Sequence, residues 1–308
     1  GIFFSQDGTS WLQINKASVS GSGDNFSTFS GRSNDARSSQ GQCSFALFEG
    51  TTDYGEMLIC DGANKPFFFK MTGTGALSDR TFFAGEITVD STTAPTVGVI
   101  HENHFVVGGA PTAKNKIFFS ATLDPESFSG TGSGSIQLTD AIVGLASFRS
   151  DLIIFCKNSI FKLINISDSS NIAIVPITQN VGCLDGNSIQ EIGGDLLFLS
   201  PDGIRTVAGT ARIGDVELSS VSRQIQKIIT TIADSINSFT ISSGVLRSKS
   251  QYRLFYTNTS LSASVSKGII GTLTPNGFEW SETKGIQANG FASGLDSDGV
   301  EQAYHGDN

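Results

Sequence analysis

Gly194-Asp195-Leu196-Leu197-Phe198-Leu199-Ser200-Pro201-Asp202-Gly203-Ile204 is the stretch whose reading decides the fold. Leu196 to Leu199 is a short apolar run, the length of a buried strand rather than of a helix. Asp202-Gly203 follows it, and such a dipeptide supplies the φ > 0 positions that a two-residue hairpin turn requires. The unit is strand, turn, strand. It recurs around Asp7-Gly8, Asp61-Gly62, Asn276-Gly277 and Asp298-Gly299. Further strand-like runs are Glu56 to Cys60, Pro66 to Lys70, Phe105 to Val107, Ile117 to Phe119 and Leu152 to Phe155. Tyr252-Arg253-Leu254-Phe255-Tyr256 alternates, as a half-buried strand should.

Composition agrees. The 308 residues include 35 Gly and 23 Phe, and only 16% are charged. Phe suits pleated, half-buried surfaces and Gly suits turns, whereas helical proteins carry more Ala, Leu, Glu and Lys. The net charge of −9 repels phosphate, which argues against a protein that wraps nucleic acid tightly. It is compatible with a surface past which DNA slides without sticking. No apolar run approaches the ~18 residues of a membrane-spanning helix. Cys43, Cys60, Cys156 and Cys183 form no CxxC pair, which excludes zinc-ribbon and thioredoxin-like chemistry. They read as reduced thiols, with Cys156 a small buried hydrophobe.

An internal echo suggests repetition. Ile2-Phe3-Phe4-Ser5 precedes Asp7 and Ser10-Trp11, and Ile117-Phe118-Phe119-Ser120 precedes Asp124 and Ser127-Phe128. A further segment starts near Ile142, and Ile160, Phe161 and Leu163 lie on an alternating strand. Segments of about 40–50 residues, each holding several strands, fit propeller blades. The expected fold is therefore all-β: one β-propeller domain over residues 1–308, built from degenerate antiparallel blades. Residues 17–41 are rich in Ser, Gly, Asn and Asp and predict a long exposed loop. Residues 215–237 predict one amphipathic helix, because Ile225, Ile228, Ile229, Ile232 and Ile236 recur at helical spacing.

No catalytic, cofactor-binding or metal residues are nominated. His101-Glu102-Asn103-His104 lacks the four-residue separation of a helical zinc site, and on one strand i and i+3 face opposite ways. It predicts a surface loop before Phe105. Asp296-Ser297-Asp298-Gly299-Val300-Glu301 lacks the later ligands of a calcium loop and reads as a hairpin. Ser5 to Trp11 is one residue short of the Asp-box of sialidase-like propellers, a structural motif. Gly132 to Ser135 lacks the strand-to-helix setting of a nucleophile elbow. Arg223 to Lys227 is a basic cluster explained by a solvated helix face.

A family resemblance enters over residues 101–228. His104-Phe105-Val106-Val107-Gly108-Gly109 leads to Lys116-Ile117-Phe118-Phe119-Ser120 and Asp124-Pro125-Glu126-Ser127-Phe128. Ile142-Val143-Gly144-Leu145 then leads to Arg149-Ser150-Asp151-Leu152-Ile153-Ile154-Phe155 and Asn158-Ser159-Ile160-Phe161. Val181-Gly182-Cys183, Ser188 to Ile192, Gly194 to Ile204 and Ile225 to Ile229 complete the order. The series resembles the tail nozzle or hub proteins of short-tailed phages, also called tail tubular protein B or packaged-DNA stabilisation proteins. The resemblance implies a virion tail protein, assembled in the host cytoplasm as a homohexameric ring below the head–tail adaptor. It would carry tail fibres or spikes and surround double-stranded DNA without binding it specifically. Family members also have a platform region; no counterpart is visible, so the chain reads as part of a longer one. Two other readings stand beside this one. A sialidase-type glycosidase would need an arginine cluster with an acid–base pair, and a monomeric propeller binding a glycan or peptide would show one aromatic-rimmed cup.

Overall fold

The computed structural model describes residues 2–5, 11–14, 43–49, 55–72, 81–90, 93–208, 220–258, 265–286, 288–296 and 298–306. The 17–41 segment and the Asp7-Gly8 turn lie outside the described residues. The strands follow in chain order. A hairpin of β1 (Ile2–Ser5) and β2 (Trp11–Ile14) comes first. Next is a sheet of β3 (Ser44–Phe48), β4 (Glu56–Cys60), β5 (Phe67–Thr72) and β6 (Thr81–Glu86). The second four-stranded sheet holds β7 (Val97–His101), β8 (His104–Gly108), β9 (Lys116–Phe119) and β10 (Gly134–Gln137). The third holds β11 (Ile142–Phe148), β12 (Asp151–Cys156), β13 (Ile160–Ile164) and β14 (Ala173–Thr178). A three-stranded sheet follows, of β15 (Gln190–Ile192), β16 (Asp195–Ser200) and β17 (Gly203–Thr206). Then come β18 (Phe239–Leu246), β19 (Gln251–Asn258), β20 (Val265–Thr274) and β21 (Gly277–Thr283). A pair, β22 (Gly290–Leu295) and β23 (Glu301–Gly306), closes the series.

In every sheet, strands adjacent in sequence are adjacent in space. Successive sheets begin at Ser44, Val97, Ile142, Gln190, Phe239 and Gly290, which are 53, 45, 48, 49 and 51 residues apart. A repeat of short antiparallel meanders at this interval is the β-propeller pattern. The chain is all-β and built of propeller blades.

The chain divides into two compact units. The first comprises Gly1–Ile154 and Lys162–Val175. Within it β3 packs on β7 and β7 on β11, first strand against first strand. Ser44 Oγ donates to the Gly98 carbonyl and accepts from the Gly98 N–H, both at 3.1 Å. Phe48, Leu58, Phe68, Ile87, Phe105, Val107 and Phe118 form a buried core there.

The second unit comprises Phe155–Phe161 and Pro176–Asn308. Its first strands β15, β18 and β22 are neighbours in the same way. Leu197, Leu199, Ile204, Ile241, Tyr252, Leu254 and Ile269 form its core. The buried Tyr252 hydroxyl donates to the Ser188 carbonyl at 2.9 Å, so the ring fills the core without orphaning its polar end.

The expected helix is present but shorter than 215–237. Helix α1 spans Gln226–Asp234 and is flanked by 3-10 turns at Arg223–Ile225 and Ile236–Ser238; residues 215–219 lie outside the described residues. Ile225, Ile229 and Ile232 are buried in the sheet core, with Ile228 and Ile236 partly covered. Thr230 and Thr231 return their hydroxyls to the carbonyls four residues earlier, a local bond that competes with further helix.

The turns correct one expectation. In the β16–β17 and β20–β21 hairpins the paired ends are Ser200 with Gly203 and Thr274 with Gly277. The central residues are therefore Pro201-Asp202 and Pro275-Asn276, one position earlier than an Asx-Gly turn would place them. Proline fixes φ near −65°, which forbids a turn that needs φ > 0 at its first central residue. The glycines instead open the returning strands, at φ +155° and +111°. Asp61-Gly62 and Asp298-Gly299 lie in longer links, where the carboxylates of Asp61 and Asp296 accept backbone N–H groups two to four residues on. Turns with φ > 0 at both central residues occur at Glu102-Asn103 and Gly193-Gly194.

Candidate functional site

The histidine motif is not a surface loop. Glu102 and Asn103, at φ +45° and +63°, make the turn between β7 and β8, and His101 pairs directly with His104 across it. A two-residue turn puts the flanking residues opposite each other on one face of the sheet, so the single-strand rule for i and i+3 does not apply. Both side chains are buried. His104 Nδ1 lies 2.6 Å from the Ser120 carbonyl, and its Nε2 meets the hydroxyls of Thr122 and Ser167 at 3.2 and 3.3 Å. His101 Nδ1 lies 2.9 Å from the exposed Ser147 Oγ, while its Nε2 has no hydrogen-bond partner. Burial pushes the His101 pKa below its ordinary value; Glu102 and Asp151 oppose that, and His104 adds to it. A Ser–His contact of this kind lacks the third group that orients a catalytic base. Among the described residues no group of three or more His, Cys, Asp or Glu is placed to hold a metal ion.

A second polar cluster was invisible in the sequence. Glu56, the first residue of β4, is 2% exposed, and its Oε1 has no partner. Across the sheet it pairs with Lys70 of β5. The Lys70 ammonium is 2.5 Å from Glu126 Oε1, in the link between β9 and β10. Burial, then the negative charge of Glu126, raise the Glu56 carboxyl to about 7; Lys70 pulls it down, and Glu126 hydrogen bonding and Asp124 add to the rise. Two carboxyls with one raised are the ingredients of glycoside hydrolysis, but that chemistry needs them roughly 5–9 Å apart around an open cleft. Here they are within hydrogen-bonding reach of each other and Glu56 is sealed from solvent.

The third feature is a cleft of 360 Å³ in the second unit, lined by β15, β18, β22 and Arg247. Gln190 and Glu191 form one side, Ser243 to Val245 the floor, and Phe291 to Ser293 the other side. Its hydroxyls are engaged inward. Ser243 Oγ donates to the Asn187 carbonyl at 2.5 Å and Ser293 Oγ to the Val245 carbonyl at 2.7 Å. The Phe291 ring lies over Gly244, where a Cβ would sit 2.5 Å from it. Glu191 and Arg247 at the rim are exposed. Nothing in the sequence marked this cleft, because three blades bring it together from positions about 50 residues apart.

Asp296 organises its own turn, and Arg223 and Lys227 are exposed on the helical segment. Cys60 and Cys183 are buried thiols pushed up by desolvation, Cys183 to about 12, which keeps them protonated and poor nucleophiles. Among the described residues no helix is long and apolar enough to cross a membrane.

No family model and no curated protein matches the chain. Among solved structures it is similar to the crystal structure of the N-terminal domain of Nup159, at a TM-score of 0.41 and 14% identity. That alignment covers 79% of this chain and 62% of the Nup159 chain, so it spans less than two thirds of the latter. The fold assignment rests on strand order and repeat interval.

Proposed function

We propose that the chain is a non-catalytic structural subunit of a short-tailed phage tail, forming a nozzle ring that extends the DNA exit channel. The ordered residue series over 101–228 carries this reading. Most of its motifs fall in sequence on β8, β9, β11, β12, β13, β15, the β16–β17 hairpin and α1, while Asp124 to Phe128 and Val181 to Cys183 lie in links between elements. Blades give such a subunit rigidity, because their short edges leave little backbone for stray pairing. The net charge of −9 lets duplex DNA pass without condensing on the wall. In this reading six copies form the ring, the head–tail adaptor sits above it, and fibres or spikes attach to its outside. The protein is assembled in the host cytoplasm and resides in the virion tail, taking part in genome retention and ejection.

A second reading, a monomeric binding module, is favoured by the cleft between β15, β18 and β22, with Phe291 and Arg247 beside it. Mass photometry of the full-length protein separates the two. A single species at six times the chain mass is expected for the nozzle. A monomer that persists at micromolar concentration rejects it in favour of the module.

A further inference from the structure

Glu56, Lys70 and Glu126 connect two successive blades of the first unit. Glu56 and Lys70 face each other on β4 and β5. Glu126 belongs to the β9–β10 link, in a turn where Ala121 N–H donates to the Ser127 carbonyl and Asp124 N–H to the Ala121 carbonyl. The charged groups facing Glu56 are Lys70 from its own sheet, and Glu126 and Asp124 from the neighbouring one. With every carboxyl ionised, one lysine would face three carboxylates, and the Glu56 charge would be buried with one oxygen unpartnered. Such a charge is costly, and a proton held between the two glutamates removes the cost.

We propose that Glu56, Lys70 and Glu126 form a proton-dependent tie that holds the β9–β10 link against the β3–β6 sheet and releases it when the shared proton is lost. The proton sits between Glu56 and Glu126 while Lys70 neutralises the remaining charge. Its loss to solvent base leaves Glu56 and Glu126 both ionised beside one ammonium, and they repel. Folding raises the proton affinity of Glu56 above its ordinary value of 4.5, so the tie is full below that value. It weakens as pH rises towards about 7 and is lost above it.

Hydrogen exchange by mass spectrometry on the full chain, from pH 5.5 to 8.5, tests the tie. Protection factors of amides 121–127 are compared with those of β16–β17, which cancels the intrinsic pH dependence of exchange. The expected result is a fall of about tenfold between pH 5.5 and 7 in the wild type, levelling off above the Glu56 midpoint, because each unit between the ordinary and the folded value changes the proton linkage by up to tenfold. Glu56→Gln should hold the ratio level. A level ratio in the wild type, or an unchanged fall in the variant, overturns the proposal. If Glu56→Gln does not fold, carbon-13 NMR of the wild-type carboxyls decides. Glu56 titrating near neutrality supports the tie, and Glu56 fully ionised by pH 5.5 overturns it.

Discussion

His101 and Glu56 are buried ionisable side chains whose proton affinities are moved in opposite senses by folding. For His101 the folded imidazole binds its proton more weakly than the ordinary 6.5. The stability this represents is complete above that value and is lost as pH falls through the folded pKa, because the unfolded chain then takes up the proton first. In a Glu56→Gln background, which removes the opposing gain from the Glu56 carboxyl over the same range, thermal unfolding followed from pH 7.5 down to 4.5 should therefore show a falling midpoint. His101→Gln, which keeps a polar group beside Ser147 but does not titrate here, should flatten that acid limb. An equal slope in the variant would assign the acid sensitivity elsewhere. Neither residue was legible beforehand. His101-Glu102-Asn103-His104 read as a surface loop because i and i+3 on one strand face opposite ways, whereas Glu102-Asn103 makes a two-residue turn without a glycine and sets the two histidines on paired strands. Glu56 read as an ordinary strand residue, since its partners Lys70 and Glu126 come from another strand and another sheet.

At the scale of elements, burial decides which substitutions are costly. Ile229 is 0% exposed on α1 and packs in the sheet core, so Ile229→Ala should destabilise by about 2–5 kcal/mol in denaturant unfolding, the usual range for truncating a fully buried aliphatic side chain. A loss below 0.5 kcal/mol, on the order of a surface change, would mean that the helix is not docked. Gly182 allows a close backbone approach: a Cβ there would lie 2.0 Å from the Lys157 carbonyl oxygen. Backbone cannot yield as a flexible side chain can, so Gly182→Ala should cost roughly 3 kcal/mol or more, at or above the upper end of overpacking. A circular-dichroism melt unchanged from wild type would contradict that contact. The strands of these elements were largely legible, because short apolar runs such as Glu56 to Cys60 and Leu152 to Phe155 carry both the length and the burial signal of a sheet interior. The turns were half legible. Pro201-Asp202-Gly203 and Pro275-Asn276-Gly277 do mark hairpins, but proline claims the first central position and displaces glycine into the strand. The helix was overestimated at both ends because its isoleucine spacing continues into 3-10 turns.

For the whole molecule, the repeat is what the sequence carried best. The interval of 45–53 residues between successive first strands lies close to the roughly 40–50 residues expected of a blade segment. The cleft was not legible, because neighbouring first strands assemble it from residues as far apart as Gln190, Ser243 and Phe291. The function proposed at this scale rests on an ordered resemblance, and it makes a geometric demand. A tail nozzle must close around duplex DNA, whereas a binding module works alone through its cup. Cryo-electron microscopy of the purified full-length protein tests that demand most directly. The nozzle account predicts a closed six-fold ring with an axial channel wide enough for a duplex of roughly 20 Å and an acidic wall that repels phosphate. A population of single particles with no ring, at concentrations where assembly would be complete, would contradict it.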